Sequence, residues 1–240
     1  MMDISNSAAR PYQNFVSQEV DIKKYEKLYE DEGLLSIPNF ITPSLCDKLK
    51  SDLDEYVWFT YSFTPVNNVW GEPGHFLLNS PLIQERFKEC EKNREDGNFT
   101  YRFKRQFGKH FETCVCVTCR LYATLSDQRV IKVLEQITGL KELKPGEMFV
   151  SKYTKGDFLA THHDKNKGKI TTTFCLTDNW DPNYGGILHF CDKDGQIYKS
   201  IVPKMGNLCI FRLVKEKQMD HFVSEVRVDK NRYMVSAWYY

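Results

Sequence analysis

Apolar residues in the first half of the chain recur at helical spacing. Leu45, Leu49, Leu53 and Val57 repeat every four residues and follow Thr42-Pro43, a pair that favours the start of a helix. Further helices are predicted over residues 22–31, after Ser80-Pro81, and between Ser126 and Gly139. Strands are predicted over residues 34–41 and over VCVTCRLYATL. The first half is therefore predicted to be rich in helices.

The pattern changes after residue 146, where short β-rich runs alternate with turn residues. The runs are EMFVSKYT, ITTTFCLT, GILHFC, QIYKSIV, NLCIFRLV, HFVSEVRV and RYMVSAWYY. Many short strands at near-regular spacing are typical of a sandwich, a jelly roll or a barrel. The predicted fold class is α+β, mainly β. Residues 1–21 are predicted to be a disordered tail, and residues 22–240 a single domain.

Composition excludes some partners. The 240 residues include 33 basic and 32 acidic side chains, so no strong field favours nucleic acid or an anionic membrane. No run approaches the roughly 20 apolar residues of a membrane helix, and the N-terminus lacks the apolar core of a secretory signal. A cytoplasmic or nuclear location is expected. The basic and aromatic stretch 96–110 could contact an acidic partner, but we interpret it as a solvated hairpin or loop.

Cysteine usage indicates reduced thiols. The chain has eight cysteines and no secretory signal, which favours free thiols over disulfides. Cys114-Val-Cys116-Val-Thr-Cys119 resembles half of a zinc site. A closed zinc site needs four ligands, no second Cys/His pair follows at finger-like spacing, and alternation with valine suits a strand. We therefore predict a strand here rather than a metal site.

His162-His163-Asp164 is the strongest chemical feature. On a strand, alternate side chains share a face, so His162 and Asp164 are expected to point together and His163 away. His221 on a later strand is the preferred third ligand, with His189 as the alternative. Two imidazoles and one carboxylate are the facial triad of non-haem iron enzymes.

Arg232 lies 11 residues after His221, at the start of the last strand. A buried guanidinium can hold a carboxylate through two hydrogen bonds. Ser236 lies two strand repeats further along and can add a hydroxyl on the same face.

The C-terminal half resembles the prolyl 4-hydroxylase class of Fe(II)- and 2-oxoglutarate-dependent oxygenases, in particular the hypoxia-type and ribosomal-protein prolyl hydroxylases. The shared motifs are SKYTKGDFLATHHD, FCLTDNW, GGILHF, VPKMGNLCIF, HFVSEV and RYMVSAWYY. The resemblance implies a double-stranded β-helix core over about residues 110–240, helical support over 22–140, and one catalytic domain.

The resemblance also implies roles for individual residues. His162, Asp164 and His221 fall on the iron ligands, and Arg232 falls on the residue that pairs with the distal carboxylate of 2-oxoglutarate. The implied cosubstrate pocket is lined by Tyr153, Leu188, Val223 and Trp238. Cys175 stands where hypoxia-type enzymes carry a second tyrosine, and Ser236 or Thr171 is expected to supply the missing hydroxyl.

The implied activity is hydroxylation of an unactivated C–H bond, with 2-oxoglutarate and O₂ converted to succinate and CO₂ and ascorbate as reductant. A prolyl residue of a protein or peptide is the expected substrate. A free amino acid or another small molecule is the alternative. Nucleic-acid demethylation and a non-catalytic β-helix binding module are less favoured. Residues 58–78 are interpreted either as a lid or as a structural loop.

Overall fold

The structure is a computed structural model that describes residues 9–56, 60–63, 75–76, 81–108, 110, 113–164, 166–213 and 219–240. The helices in these ranges are α1 (Ile22–Glu32), α2 (Pro43–Asp54), α3 (Ile83–Glu95), α4 (Val117–Leu125), α5 (Gln128–Thr138) and a short 3₁₀ helix (Pro182–Tyr184). The strands are β1 (Leu34–Ile37), β2 (Thr60–Phe63), β3 (His75–Phe76), β4 (Tyr101–Phe107), β5 (Pro145–Tyr153), β6 (Phe158–His162), β7 (Ile170–Cys175), β8 (Leu188–Cys191), β9 (Ile197–Ile201), β10 (Leu208–Arg212), β11 (Asp220–Val223) and β12 (Arg232–Tyr239). None of the helices described is long and apolar enough to cross a lipid bilayer.

The strands form one antiparallel sheet that curls into a nearly closed barrel. They pair in the order β1-β10-β7-β12-β5-β4-β6-β11-β8-β9, with β2 and β3 attached to β4. Strands β8 and β10 are far apart in this order, yet the rings of Phe190 and Phe211 contact each other, with centroids 5.1 Å apart. The predicted mainly-β, jelly-roll fold is confirmed.

The two faces of the sheet have different partners. On β12, Tyr233, Val235 and Ala237 belong to the large core between sheet and helices. The alternate residue Trp238 belongs to a second core that fills the barrel interior with aromatic and aliphatic side chains. Arg232 and Ser236 share the parity of Trp238, so the alternation of the strand directs them into the barrel.

The residues at the two ends of helix α5 determine where the helix begins and ends. The side chain of Asp127 accepts a hydrogen bond from Arg129 N–H at the N-terminus, and Gly139 ends the helix in a left-handed conformation with φ 71°. The helix was predicted, but its cap is Asp127 rather than Ser126. Val130, Leu134 and Ile137 are buried as the spacing predicts.

The predicted strand VCVTCRLYATL is wrong, because residues 117–125 form α4. Val117, Leu121 and Leu125 recur every four residues and are all buried in the core between helices and sheet. The valine alternation that suggested a strand involves Val115, which is 61% exposed and precedes the helix. The helical periodicity was the better signal.

The N-terminal tail is ordered from residue 9 onward, contrary to the predicted disorder. Tyr12 and Phe15 are buried in the core, and the Tyr12 backbone N–H donates to Thr124 Oγ1 at 2.7 Å. Val16 forms a β-bridge with Ile41. Two aromatic anchors thus hold a segment whose polar composition suggested a loose tail, and residues 1–8 lie outside the described ranges.

The basic and aromatic stretch is not a solvated loop, because β4 lies inside the sheet between β5 and β6. Arg102 and Lys104 are buried on it. The buried carboxylate of Asp157 pairs with Lys104 Nζ at 3.1 Å and with Arg102 Nε at 3.6 Å. Arg102 and Lys104 therefore form ion pairs within the protein. The lid proposed for residues 58–78 falls mostly outside the described residues, which include only the β2 and β3 backbones.

Candidate functional site

Three predicted ligands converge at one end of the barrel. His162 ends β6 and lies opposite His221 of β11 in the antiparallel register, with ring centroids 4.3 Å apart. Asp164 follows two residues later, beyond the end of the strand. Its Oδ1 is 3.6 Å from His162 Nε2 and its Oδ2 is 3.9 Å from His221 Nε2. One potential donor atom from each residue lies within 4.8 Å of the others.

Backbone carbonyls orient both imidazoles. Nδ1 of His162 lies 3.1 Å from Ala160 O, and Nδ1 of His221 lies 3.0 Å from Met219 O. A carbonyl only accepts, so each Nδ1 carries the proton and donates it. Each Nε2 therefore faces the centre of the cluster, where it could bind a metal ion.

The two oxygens of Asp164 have different surroundings. Oδ2 accepts hydrogen bonds from Thr171 Oγ1 at 2.9 Å and from Trp238 Nε1 at 3.0 Å. These two donors fix the carboxylate and leave Oδ1 directed towards His162. Carboxylates that bind metals in proteins are held in place by hydrogen bonds of this kind.

The protonation states of His162 and Asp164 are suited to binding a metal cation. Burial, reinforced by the neighbouring His221, lowers the pKa of His162 to about 3. Burial alone would raise the pKa of Asp164, but His221, Lys167 and the hydrogen bond from Trp238 lower it below its usual value. The site therefore presents a neutral imidazole at His162 and an ionised carboxylate at neutral pH. Two nitrogens and one oxygen on one side of an ion leave the other side open, which fits Fe(II).

The two other histidines of this region do not join the triad. His189, the alternative ligand, faces the other side of β8, where its Nδ1 lies 2.8 Å from Ser200 Oγ and its ring stacks on Phe222. His163 is likewise not part of the cluster. The preference for His221 follows from the register of β11 with β6.

Arg232 lies inside the barrel at the start of β12. It is 2% exposed, its Nε has no hydrogen-bond partner among the described residues, and its guanidinium lies 4.9 Å from the centre of the Tyr153 ring. Burial lowers its pKa, but a guanidinium stays protonated in proteins. A buried cation of this kind needs an anionic ligand, and a carboxylate matches its geometry.

A pocket beside Arg232 gathers several predicted residues. Leu188 and Cys175 line it, and Leu188 is paired with Val223 of β11. Tyr153 lies opposite Arg232 on β5 and stacks on Phe103, with centroids 4.7 Å apart. Burial raises the pKa values of Cys175 and Tyr153, so both present neutral groups to the guanidinium.

The structure changes the roles of two predicted pocket residues. The hydroxyl of Thr171 was predicted to replace the missing tyrosine hydroxyl, but it donates to Asp164. Trp238 was predicted as an apolar wall, yet its indole N–H also donates to Asp164. Ser236 shares the barrel-facing side of β12 with Arg232.

Thr173 is a pocket residue that the sequence interpretation missed. It lines the Arg232 pocket together with Cys175 and lies opposite Ser236 in the β7–β12 register. Its position two residues from both Thr171 and Cys175 on a predicted strand was the signal that could have found it.

Comparison with known proteins agrees with this geometry. Residues 148–240 match the family model of the 2OG-Fe(II) oxygenase superfamily. They have the sequence pattern and the fold of that superfamily. The matched segment contains all three triad residues and Arg232.

Solved structures share the fold over nearly the whole chain. An oxidoreductase of the 2OG-Fe(II) oxygenase family from Burkholderia pseudomallei is 13% identical, with a TM-score of 0.57, covering 97% of this chain and 95% of that chain. A Trichoplax adhaerens prolyl hydroxylase, solved in complex with a hypoxia inducible factor peptide fragment, is 17% identical, with a TM-score of 0.57 and coverage of 91% of both chains. A viral collagen prolyl hydroxylase from Paramecium Bursaria Chlorella virus-1, solved as a 2OG complex, is 13% identical, with a TM-score of 0.50, covering 88% of this chain and 96% of that chain. At these identities the likeness concerns the fold.

Proposed function

We propose that this oxygenase hydroxylates a prolyl residue in a protein or peptide. The observation that carries the oxygenase chemistry is the joint placement of the triad and of Arg232 inside one barrel. The prolyl substrate is supported by the sequence motifs, by the shared fold of the prolyl hydroxylases, and by the aromatic surroundings of His162.

The triad holds the metal and leaves room for reactants. His162, Asp164 and His221 would bind Fe(II) through two nitrogens and one oxygen, and the backbone carbonyls and Thr171 keep these donors in place. When bound, Fe(II) with 2-oxoglutarate and O₂ supplies hydroxylation of a C–H bond with release of succinate and CO₂.

Arg232 positions the cosubstrate. Its guanidinium is suited to the distal carboxylate of 2-oxoglutarate, since a carboxylate can accept two parallel hydrogen bonds from it. Tyr153 and Leu188 line the surrounding space and exclude water. Because Cys175 is a neutral thiol there, Ser236 and Thr173 are the hydroxyl groups nearest in the strand register to assist.

An aromatic row extends from the metal site along the start of β4. The ring of Phe99 lies 5.6 Å from that of His162, and the Phe99–Tyr101 and Tyr101–Phe103 centroid distances are 5.7 Å and 5.3 Å. Phe103 is buried in the barrel core, whereas the half-buried rings of Phe99 and Tyr101 offer an uncharged surface on which the apolar pyrrolidine ring of proline can pack. This surface favours a prolyl side chain over a charged one.

The oxygenase reaction is tested first in the absence of a molecule to be hydroxylated. Purified protein with Fe(II), ascorbate and 2-oxoglutarate is expected to form succinate slowly. His221→Ala should abolish this turnover because it removes one of three ligands. His189→Ala is the matched control on a neighbouring strand and should retain it. Full turnover by the His221 variant would place the metal elsewhere.

The substrate is tested with a proline-containing peptide library and mass spectrometry. A gain of one oxygen on proline is expected, and Phe99→Ala should raise KM for the peptide while leaving peptide-independent succinate formation unchanged. Tyr198→Ala removes an exposed aromatic residue of β9 and is the control. Oxygen transfer only to free amino acids or other small molecules would overturn the prolyl-residue proposal while keeping the oxygenase chemistry.

A further inference from the structure

A second cluster of metal-binding side chains lies outside the oxygenase site. His110, Cys114, Cys116 and Cys119 occupy the connection between β4 and α4 and the first turn of that helix. One potential ligand atom from each lies within 4.8 Å of the other three. All eight cysteines of the chain are free thiols, so none of these sulfurs is held in a disulfide.

The two distances from His110 to cysteine sulfurs match those of a tetrahedral metal site. His110 Nδ1 lies 3.4 Å from Cys114 Sγ and 3.5 Å from Cys116 Sγ. Zinc with bonds of about 2.0 Å to nitrogen and about 2.3 Å to sulfur separates two such ligands by about 3.5 Å. The ligand set of three sulfurs and one nitrogen also differs in kind from the triad, which offers nitrogen and oxygen.

The surroundings of the cluster orient its ligands. Gln106 on β4 contacts Nε2 of His110, the ring nitrogen that faces away from the sulfurs. Such a contact holds the imidazole of a metal-binding histidine in one orientation. Thr118 Oγ1 lies 3.1 Å from Cys116 Sγ, and Tyr56 Oη lies 3.9 Å from the same sulfur, so both hydroxyls can donate to a thiolate.

Two described residues of the connection have little support from packing or capping. Val115 at its centre is 61% exposed. Cys116 is the N-cap residue of α4 and makes no side-chain capping hydrogen bond. A metal ion can replace the apolar packing that a short segment lacks.

We propose that His110, Cys114, Cys116 and Cys119 bind one zinc ion that fixes the N-terminus of α4 against the end of β4. Four protein ligands close the coordination sphere, which is the mark of a structural site rather than a catalytic one. The site lies away from the triad along the sheet. Tyr101 and Arg102, at the start of β4, pair with β6, which carries His162, whereas Gln106 is near the other end of the strand.

The test is the zinc content of the purified protein, measured by elemental mass spectrometry. Zinc can also occupy the triad, so the measurement uses Asp164→Ala/His221→Ala, which lacks that site. One zinc per chain is expected in this variant. Adding Cys116→Ser/Cys119→Ser should remove the zinc, whereas Cys90→Ser/Cys191→Ser, the matched pair of buried cysteines outside the cluster, should retain it.

A second measurement covers the case in which the cluster variant fails to fold. Replacing the zinc of the triad-deficient protein by Co(II) should produce the absorption of thiolate-to-cobalt charge transfer. A protein without zinc once the triad is removed would overturn the proposal. Cobalt without sulfur ligation, iron in place of zinc, or a disulfide among the three cysteines would also overturn it.

Discussion

Asp164 divides two tasks between its two oxygens. Oδ2 is held by the hydroxyl of Thr171 and the indole of Trp238, while Oδ1 is available to a metal ion. The sequence pattern was sufficient to single out Asp164, because the histidine–aspartate spacing and the later Arg232 are visible along the chain. The two donors were missed as donors, because Thr171 lies 7 and Trp238 74 positions from Asp164, and both contacts depend on how the strands pack together.

Thr171→Val tests the assignment of this hydroxyl. Loss of the hydrogen bond should weaken Fe(II) binding by about 10- to 100-fold, while KM for 2-oxoglutarate at saturating Fe(II) stays near its wild-type value. Fe(II) affinity and KM are measured separately through succinate formation. Thr172→Val is the matched control, because that hydroxyl donates to Ala237 O on the other face of β7. A raised KM for 2-oxoglutarate with unchanged Fe(II) affinity would mean that the Thr171 hydroxyl contacts the cosubstrate instead.

Among the elements, the β-strands of the second half were predicted well and α4 was not. Each strand carries its own turn residues and alternation, so local sequence defines it. At α4, three cysteines and two valines produced an alternation over only a few residues. The segment forms a helix because Val117, Leu121 and Leu125 then lie on one face, which is buried in the core.

Helix α5 offers a test of the packing between helices and sheet. Leu134 is fully buried, so Leu134→Ala should lower the free energy of unfolding by about 2–5 kcal/mol. Gln136→Ala, on the exposed side of the same helix, should change it by no more than about 0.5 kcal/mol. Chemical denaturation measures both, and equal effects would mean that α5 does not pack as described.

The closure of the barrel brings the residues of the site together. His162 and His221 are distant in sequence and become neighbours through the antiparallel register of β6 and β11. The sequence predicted a mainly-β core, but the exact register followed from the closure of twelve strands and the filling of the interior. The order of residues 9–21 also depends on the complete core, which receives Tyr12 and Phe15.

The triad should make the stability of the metal-free protein depend on pH. The folded chain keeps His162 unprotonated down to about pH 3, whereas the unfolded chain takes up this proton below about pH 6.5. The unfolded state binds more protons between these values, so the free energy of unfolding should fall as pH is lowered, by up to about 1.4 kcal/mol per pH unit from this group.

Denaturation of the metal-free protein at pH 7 and pH 5 measures this dependence. His162→Gln should show a smaller loss of stability than the wild type over the same interval, because its side chain does not titrate. Identical losses in the two proteins would show that His162 is not held neutral by its surroundings.

Anaerobic titration with 2-oxoglutarate, in the presence and absence of Fe(II), tests whether the triad and Arg232 bind the metal and the cosubstrate together. The wild type should bind 2-oxoglutarate with Fe(II) present and develop the visible absorption of an iron–keto acid chelate. Asp164→Ala should lose this absorption, and Arg232→Ala should require a concentration of 2-oxoglutarate higher by orders of magnitude, while the surface variant Arg129→Ala should match the wild type. An unchanged chelate spectrum in Asp164→Ala, or an unchanged requirement in Arg232→Ala, would contradict the account.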